Sequence, residues 1–268
     1  MVATINLTLA NRDLVGYFSN WTANFGYNGN GEFSPASPPS TTAPYDQWSA
    51  GTGNASNTGV VLNGAFNYAP PGGFSGTVNN MQFGTDLNGT AADGWSLGTA
   101  GLTVGLTGSD VSSASGFTEA IYSLSHGGSL TGITHSSGRQ FAGLYDYFGN
   151  VGTVQNGTAV ADTLYSFDGN DTLNGGAGRD TFVFDRDIDG ALSATIGHDT
   201  VTGFTAGASG DLLRFALQST AFDSFAEVYA AASQVGSDTV INLGSFGDIT
   251  LAGVTKTNLV AGNFEFVA

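Results

Sequence analysis

The 268-residue sequence predicts two domains of different class. The first, over residues 1–150, is α+β, with an antiparallel sheet carrying helices on one face; the second, over 151–268, is an all-β parallel β-roll or sandwich with calcium. Three observations predict this. A strand–helix pair, then several strand-type runs, then two helix-type runs follow one another in the first segment, an order that suits helices packed on one sheet. A nine-residue period begins at Gly157. Charge also divides unevenly, with 8 acids and 2 bases in residues 1–150 against 14 acids and 4 bases in 151–268. The glycine-rich polar stretch Gly149–Gly157 places the boundary.

Composition excludes several classes. With 22 Asp+Glu against 6 Lys+Arg the net charge is −16, which repels phosphate backbones and anionic lipid, so no nucleic-acid partner is expected. No apolar run approaches the roughly 18–20 residues of a spanning helix, so no membrane insertion is expected either. Cysteine is absent, which removes disulfides and thiolate chemistry. The N-terminus has neither a basic region nor a continuous apolar core, and no Sec-type signal is expected.

Thr4–Leu9 alternates as a strand. Asn11 is placed to cap a helix running to about Phe25, whose buried face carries Leu14, Phe18, Trp21 and Phe25. Gly26 ends it, and a loop is expected from Tyr27 to about Gly53. Short strands follow at Val60–Leu62, Ala65–Tyr68, Gly76–Val78, Met81–Phe83 and Leu102–Leu106, separated by Gly and Asn turns. One further helix carries Phe117, Ile121 and Leu124 and stops at Gly127-Gly128. Another carries Phe141, Leu144 and Phe148 and stops at Gly149.

The nonapeptides begin at Gly157, Ser166 and Gly175, and the third fits G-G-x-G-x-D-x-U-x throughout. Glycines permit the tight turns, while Leu164, Leu173 and Phe182 point into a thin core. Asp162 and Asp180, 18 residues apart, fall on one edge of the roll and Asp171 on the other. Stacked aspartates repel unless a cation lies between them, and carboxylate with turn carbonyl oxygens suits Ca²⁺. Asp168 and Asp199 join Asp162, Asp171 and Asp180 as candidate calcium ligands.

On these repeats, residues 157–268 resemble the RTX, serralysin-type C-terminal module of type I secreted proteins. The likeness extends over His198–Phe204, Gly247–Val254 and the ending Asn263–Ala268. It implies a secreted, extracellular protein exported by the type I secretion apparatus through an uncleaved C-terminal signal and folded outside by calcium.

No hydrolase signature accompanies the module: His126, His135 and His198 lie outside any H-E-x-x-H frame, and no G-x-S-x-G occurs. An enzyme is not expected. The first segment resembles the HasA-type hemophores in the strand Thr4–Leu9, the helix ending Trp21-Thr-Ala-Asn-Phe25-Gly26, Gly64–Tyr68, Met81–Gly89, Ile121–Leu124 and Leu144–Gly149. The resemblance implies a curved antiparallel sheet backed by helices, with haem gripped between two loops and Tyr68 as the iron's oxygen ligand. In two places the sequence departs from that pattern. The segment Tyr27–Phe33 contains no histidine, and Ala69–Phe74 lacks the histidine that partners the ligand tyrosine in the family. His126 stands as a substitute or as an ordinary helix-end residue.

Two functions are therefore expected as rivals. One is a hemophore that binds extracellular haem for iron acquisition and delivers it to an outer-membrane haem receptor. The other is a calcium-dependent extracellular structural protein of a matrix, fibre or surface layer, self-assembling and without haem ligands.

Overall fold

Phe18 and Trp21 show how the first part of the chain is built. Both are buried, and both set their rings against Phe83, at 5.1 and 5.0 Å between centroids. The computed structural model describes residues 2–27, 29, 31–35, 44–53, 57–69 and 73–267. Those residues are dominated by β-strands, with four α-helices among them. The chain divides into two compact units, one of residues 1–5 and 16–151, the other of 6–15 and 152–268.

In the first unit the chain runs β1 (Ala3–Asn6), α1 (Leu14–Ala23), β2 (Glu32–Ser34), β3 (Tyr45–Gly51), β4 (Thr58–Ala69), β5 (Gly73–Thr90) and β6 (Gly94–Gly105). It continues through α2 (Phe117–Gly127), the small hairpin β7 (Ile133–Thr134) and β8 (Gln140–Phe141), and α3 (Leu144–Val151). The sheet order is β1-β6-β5-β4-β3-β2, and every one of these pairings is antiparallel. Between β4 and β5 the register passes from Asn63↔Asn80 to Gly64↔Val78, leaving Asn79 as an extra residue. Such a bulge shifts the alternation by one. Phe74 and Val78 before it, and Met81 and Phe83 after it, are consequently all buried. Phe74 meets Phe117 of α2 as Phe83 meets α1.

Several elements differ from expectation. The helix begins at Leu14, and the side-chain oxygen of Asn11 accepts the N–H of Thr8. It stops at Ala23, and Phe25 stacks on Trp21 from outside the helix at 4.4 Å. The segment expected as a loop contains β2 and β3; residues 28, 30 and 36–43 of that loop, and residues 54–56 just after it, lie outside the described residues. The short strands fuse into the long β4 and β5, since Gly64 and Asn79 sit at the bulge and do not end the pairing. Phe141 belongs to β8, and α3 runs through Gly149 to Val151.

Replacing Phe18 with Ala removes a fully buried ring that touches Phe83 and Tyr145. Phe18→Ala is expected to destabilise the first unit by about 3–5 kcal/mol, read from urea melts of tryptophan fluorescence. A loss below about 1 kcal/mol would show that the helix stripe is not the core of this unit.

The second unit continues with β9 (Thr153–Asn156), β10 (Thr163–Ser166), β11 (Thr172–Asn174), β12 (Thr181–Asp185), β13 (His198–Thr202) and β14 (Leu212–Ala216). Then come α4 (Phe225–Ala231), β15 (Ala232–Val235), β16 (Asp238–Asn242), β17 (Asp248–Leu251) and β18 (Phe264–Phe266). Successive strands from β9 to β14 alternate between two sheets. One is β9-β11-β13-β17, parallel, then β16 and β15 antiparallel; the other is β10-β12-β14-β18, all parallel. The result is a coil whose side chains Leu164, Leu173, Phe182, Val201 and Leu213 are fully buried.

Residues 6–15 line the start of this coil. The N–H of Leu7 donates to Asn156 O, the N–H of Thr163 to Arg12 O, and the Tyr165 hydroxyl to Asp13 Oδ1. They therefore satisfy backbone groups that the first strands of the coil would otherwise leave open.

Candidate functional site

Two places gather the residues singled out in the sequence. The first is a cavity of about 370 Å³ in the first unit, between one end of the sheet and α2. Phe33 of β2, Trp48 of β3, Tyr68 of β4 and Phe74 of β5 form one wall. Thr118, Ile121, Tyr122, Ser125 and His126 of α2 form the other. The strand positions follow from register, since Tyr68 pairs with Phe74 across β4 and β5. The helix positions recur at 118, 121, 122, 125 and 126, the spacing of a single helical face.

Tyr68 and His126 thus line the same cavity. The Tyr68 ring stacks on Phe33 at 5.4 Å and 23°, and meets Phe74 at 5.3 Å. The imidazole of His126 lies flat on Tyr122, 3.9 Å between centroids and 13° between planes. Its Nδ1 is within 2.9 Å of Ser125 Oγ and 3.3 Å of Tyr122 O. Gly128 closes the helix just beyond it, in the left-handed conformation and with its N–H on Leu124 O. Phe33 comes from the segment expected to offer a histidine, and an aromatic ring stands against the tyrosine there. Residues 70–72 of the shortened segment after Tyr68 lie outside the described residues.

The second place is the pair of edges of the coil. On one edge the N–H of Asp162 donates to Asp180 Oδ1, and the N–H of Asp180 donates to Asp211 Oδ1. On the other the N–H of Asp171 donates to Asp199 Oδ1, while Asp171 itself accepts from the N–H and hydroxyl of Thr153. All five carboxylates are buried. Each turn therefore hangs from the carboxylate of the next, in two parallel series.

Burial pushes the carboxyls of Asp171 and Asp180 up to about 6, against partial relief from the N–H groups they accept. Burial and the nearby charge of Asp171 raise Asp199 well above the usual carboxylate range. Asp162 Oδ1 is buried with no hydrogen-bond partner. Asp168 stands apart from both series: it is exposed and accepts from Ser193 Oγ.

Asp211 falls outside the nine-residue period, because it lies 31 residues after Asp180 and not 18. Its signal is the pattern Asp211-Leu-Leu, an acid before a buried apolar residue, as in Asp162-Thr-Leu and Asp180-Thr-Phe. A second overlooked signal is Asp185-Arg-Asp187-Ile-Asp189-Gly190, the spacing that opens an EF-hand calcium loop. Among the described residues no group of three or more His, Asp or Glu is placed to hold a metal ion. His135 is exposed beside Ser137, and His198 pairs with Asp248. No helix among the described residues is long and apolar enough to cross a membrane.

No protein-family model matches the chain. No curated protein matches it either. Among solved structures it is similar to the holo form of the hemophore HasA from Yersinia pestis, at 23% identity and a TM-score of 0.36 over 47% of this chain and 82% of that one. The apo form from the same organism gives 22% identity and a TM-score of 0.36 over the same shares. A subunit of the Azotobacter vinelandii mannuronan C5-epimerase, AlgE6R3, gives 23% identity and a TM-score of 0.21 over 41% of this chain and 76% of that one.

Proposed function

We propose that the protein is a secreted binding protein, not an enzyme, that takes up haem in the cavity between the sheet and α2. The observation that carries this is the convergence of Tyr68 and His126 on one cavity whose remaining walls are largely aromatic. The residues present fit the group. Phe33, Trp48, Phe74 and Tyr122 suit the faces of a macrocycle, and the phenol oxygen of Tyr68 suits ferric iron. The imidazole of His126 and the phenol of Tyr122 are further nitrogen and oxygen donors in the lining. Haem, when bound, would supply a redox-active iron that the protein merely carries. Delivery to an outer-membrane receptor completes the proposed role.

Hemin titrated into the full chain is expected to shift and sharpen its Soret band, and Tyr68→Phe to displace the bands of the complex. Absence of any spectral change in the wild-type chain overturns the proposal.

We also propose that the coil holds calcium, with Asp162 and Asp180 on one edge and Asp171 and Asp199 on the other as ligands. The orphaned Asp162 Oδ1 and the upward-shifted carboxyls support it, because buried like charges call for a cation. Export through the type I apparatus and folding outside the cell belong to the same proposal. Calcium-dependent self-assembly as a structural protein is the rival outcome, and light scattering with and without calcium distinguishes it.

A further inference from the structure

We propose that the first unit carries a second ligand site, separate from the cavity between the sheet and α2, and that its ligand is a neutral sugar. Phe33 pairs with Trp48 across β2 and β3, and both line the first cavity. One residue along, Glu32 pairs with Ser49, and strand alternation turns that pair the other way. Glu32 and Ser49 line a cavity of about 560 Å³, a volume usual for small-molecule sites. Thr52 joins them, and Leu87, Asn88 and Trp95 of the β5–β6 hairpin complete the wall. The two cavities share no lining residue.

Gln47 of β3 ties the hairpin to this place. Its side chain accepts the N–H of Trp95 at 2.6 Å and donates to Trp95 O at 3.0 Å, although β4 and β5 separate the two strands in the sheet. Trp95 is half-buried, and among the described residues its ring meets no other aromatic ring. Its indole N–H is buried with no hydrogen-bond partner, a cost that an acceptor entering beside it would relieve. The Glu32 carboxylate is exposed and has no ion pair or side-chain hydrogen bond among the described residues. Asn88 donates its amide N–H to Asp86 O, which leaves its amide oxygen to the cavity's ligand. An unstacked indole beside carboxylate, amide and hydroxyl groups matches a pyranose. The C–H face of the sugar packs on the ring. Its hydroxyls donate to the carboxylate and accept from N–H and O–H groups. Glu32 and a net charge of −16 repel an anionic ligand, while a single carboxylate is too little for a divalent cation.

The test is calorimetric titration of the full chain with glucose, galactose and mannose, and then with their uronic acids. At least one neutral sugar is expected to bind with a dissociation constant of about 1 mM or below. Its uronic acid should bind at least about fivefold more weakly. Trp95→Ala and, separately, Glu32→Gln should each weaken the sugar by about fivefold or more. Because Glu32 is exposed, Glu32→Gln keeps the fold and decides the matter even if Trp95→Ala does not fold. The proposal is overturned if no neutral sugar binds at this strength, if the uronic acid binds as tightly, or if a folded variant loses less affinity. A sugar that competes with hemin would lie in the first cavity, and it too overturns the second site.

Discussion

In chelator, the second unit is expected to be less stable at pH 7 than at pH 4, the reverse of a protein held together by paired carboxylates. Asp171 and Asp180 are buried, and burial raises each from 3.8 to about 6, with Asp199 raised further in the same direction. A carboxyl whose pKa is raised by folding holds its proton more tightly in the folded chain than in the unfolded one. Its stabilising contribution is complete below the unfolded value of 3.8 and is lost as pH rises through about 6. At pH 7 the metal-free coil therefore carries several buried charges offset only in part by the N–H and hydroxyl groups they accept.

The remedy is a cation. Calcium at a hundred times its dissociation constant adds about 2.7 kcal/mol for each site and should abolish the loss at neutral pH. The two units can be followed apart, because all three tryptophans, Trp21, Trp48 and Trp95, belong to the first. Thermal melts in chelator at pH 4 to 7 should show the far-UV signal acquiring an early transition while tryptophan fluorescence keeps its own. A far-UV melt that strengthens from pH 4 to 7 without calcium would show that the aspartates are not buried as described.

Gly197→Ala should damage the coil at least as severely. Gly197 has φ +83°, and a Cβ there would sit 1.9 Å from the carbonyl oxygen of Gly169 in the adjacent turn. Gly247 repeats the arrangement one turn on, its Cβ position 1.8 Å from Gly197 O. The left-handed backbone alone costs an alanine about 1–2 kcal/mol. The overlap with backbone adds to it, since a carbonyl in a stacked turn cannot step aside without opening the ladder. A total of about 3 kcal/mol or more is expected. Gly236→Ala supplies the control, with φ +62° and nothing within 4 Å of its Cβ position. If both substitutions lower the melting temperature equally, the turns are not stacked as tightly as described.

These contrasts explain which parts of the molecule the sequence discloses. The first coil is visible because strands two apart pair at an offset of 18 residues, which makes Leu164, Leu173 and Phe182 recur at a fixed interval. Later turns grow, to offsets of 28 and 31 and then 50 and 51 residues, and the period dissolves although the pairing persists. Asp211 is lost from view for that reason. In the first unit, α2 is legible because its buried residues Phe117, Ala120, Ile121 and Leu124 share a face and Gly128 stops it. β2 and β3 are not, because their few apolar residues are embedded in Gly, Ser and Pro. Tyr68 and His126 could be named individually. That they line one cavity depends on sheet register and on how α2 lies against it, which no local pattern encodes.

The partnership of residues 6–15 with the coil bears on how such a unit can travel between genes. Asp13 and Tyr165, joined by a hydrogen bond, stand 152 positions apart, with residues 16–151 of the first unit between them. A coding segment that starts at 152 would carry the strands without the stretch that closes their exposed rim. The coil is thus not a portable cassette. To be grafted onto another protein it needs either its own ten-residue leader restored at the rim or a host whose final strand can take that place, and a graft lacking both should associate through the open edges of β9 and β10.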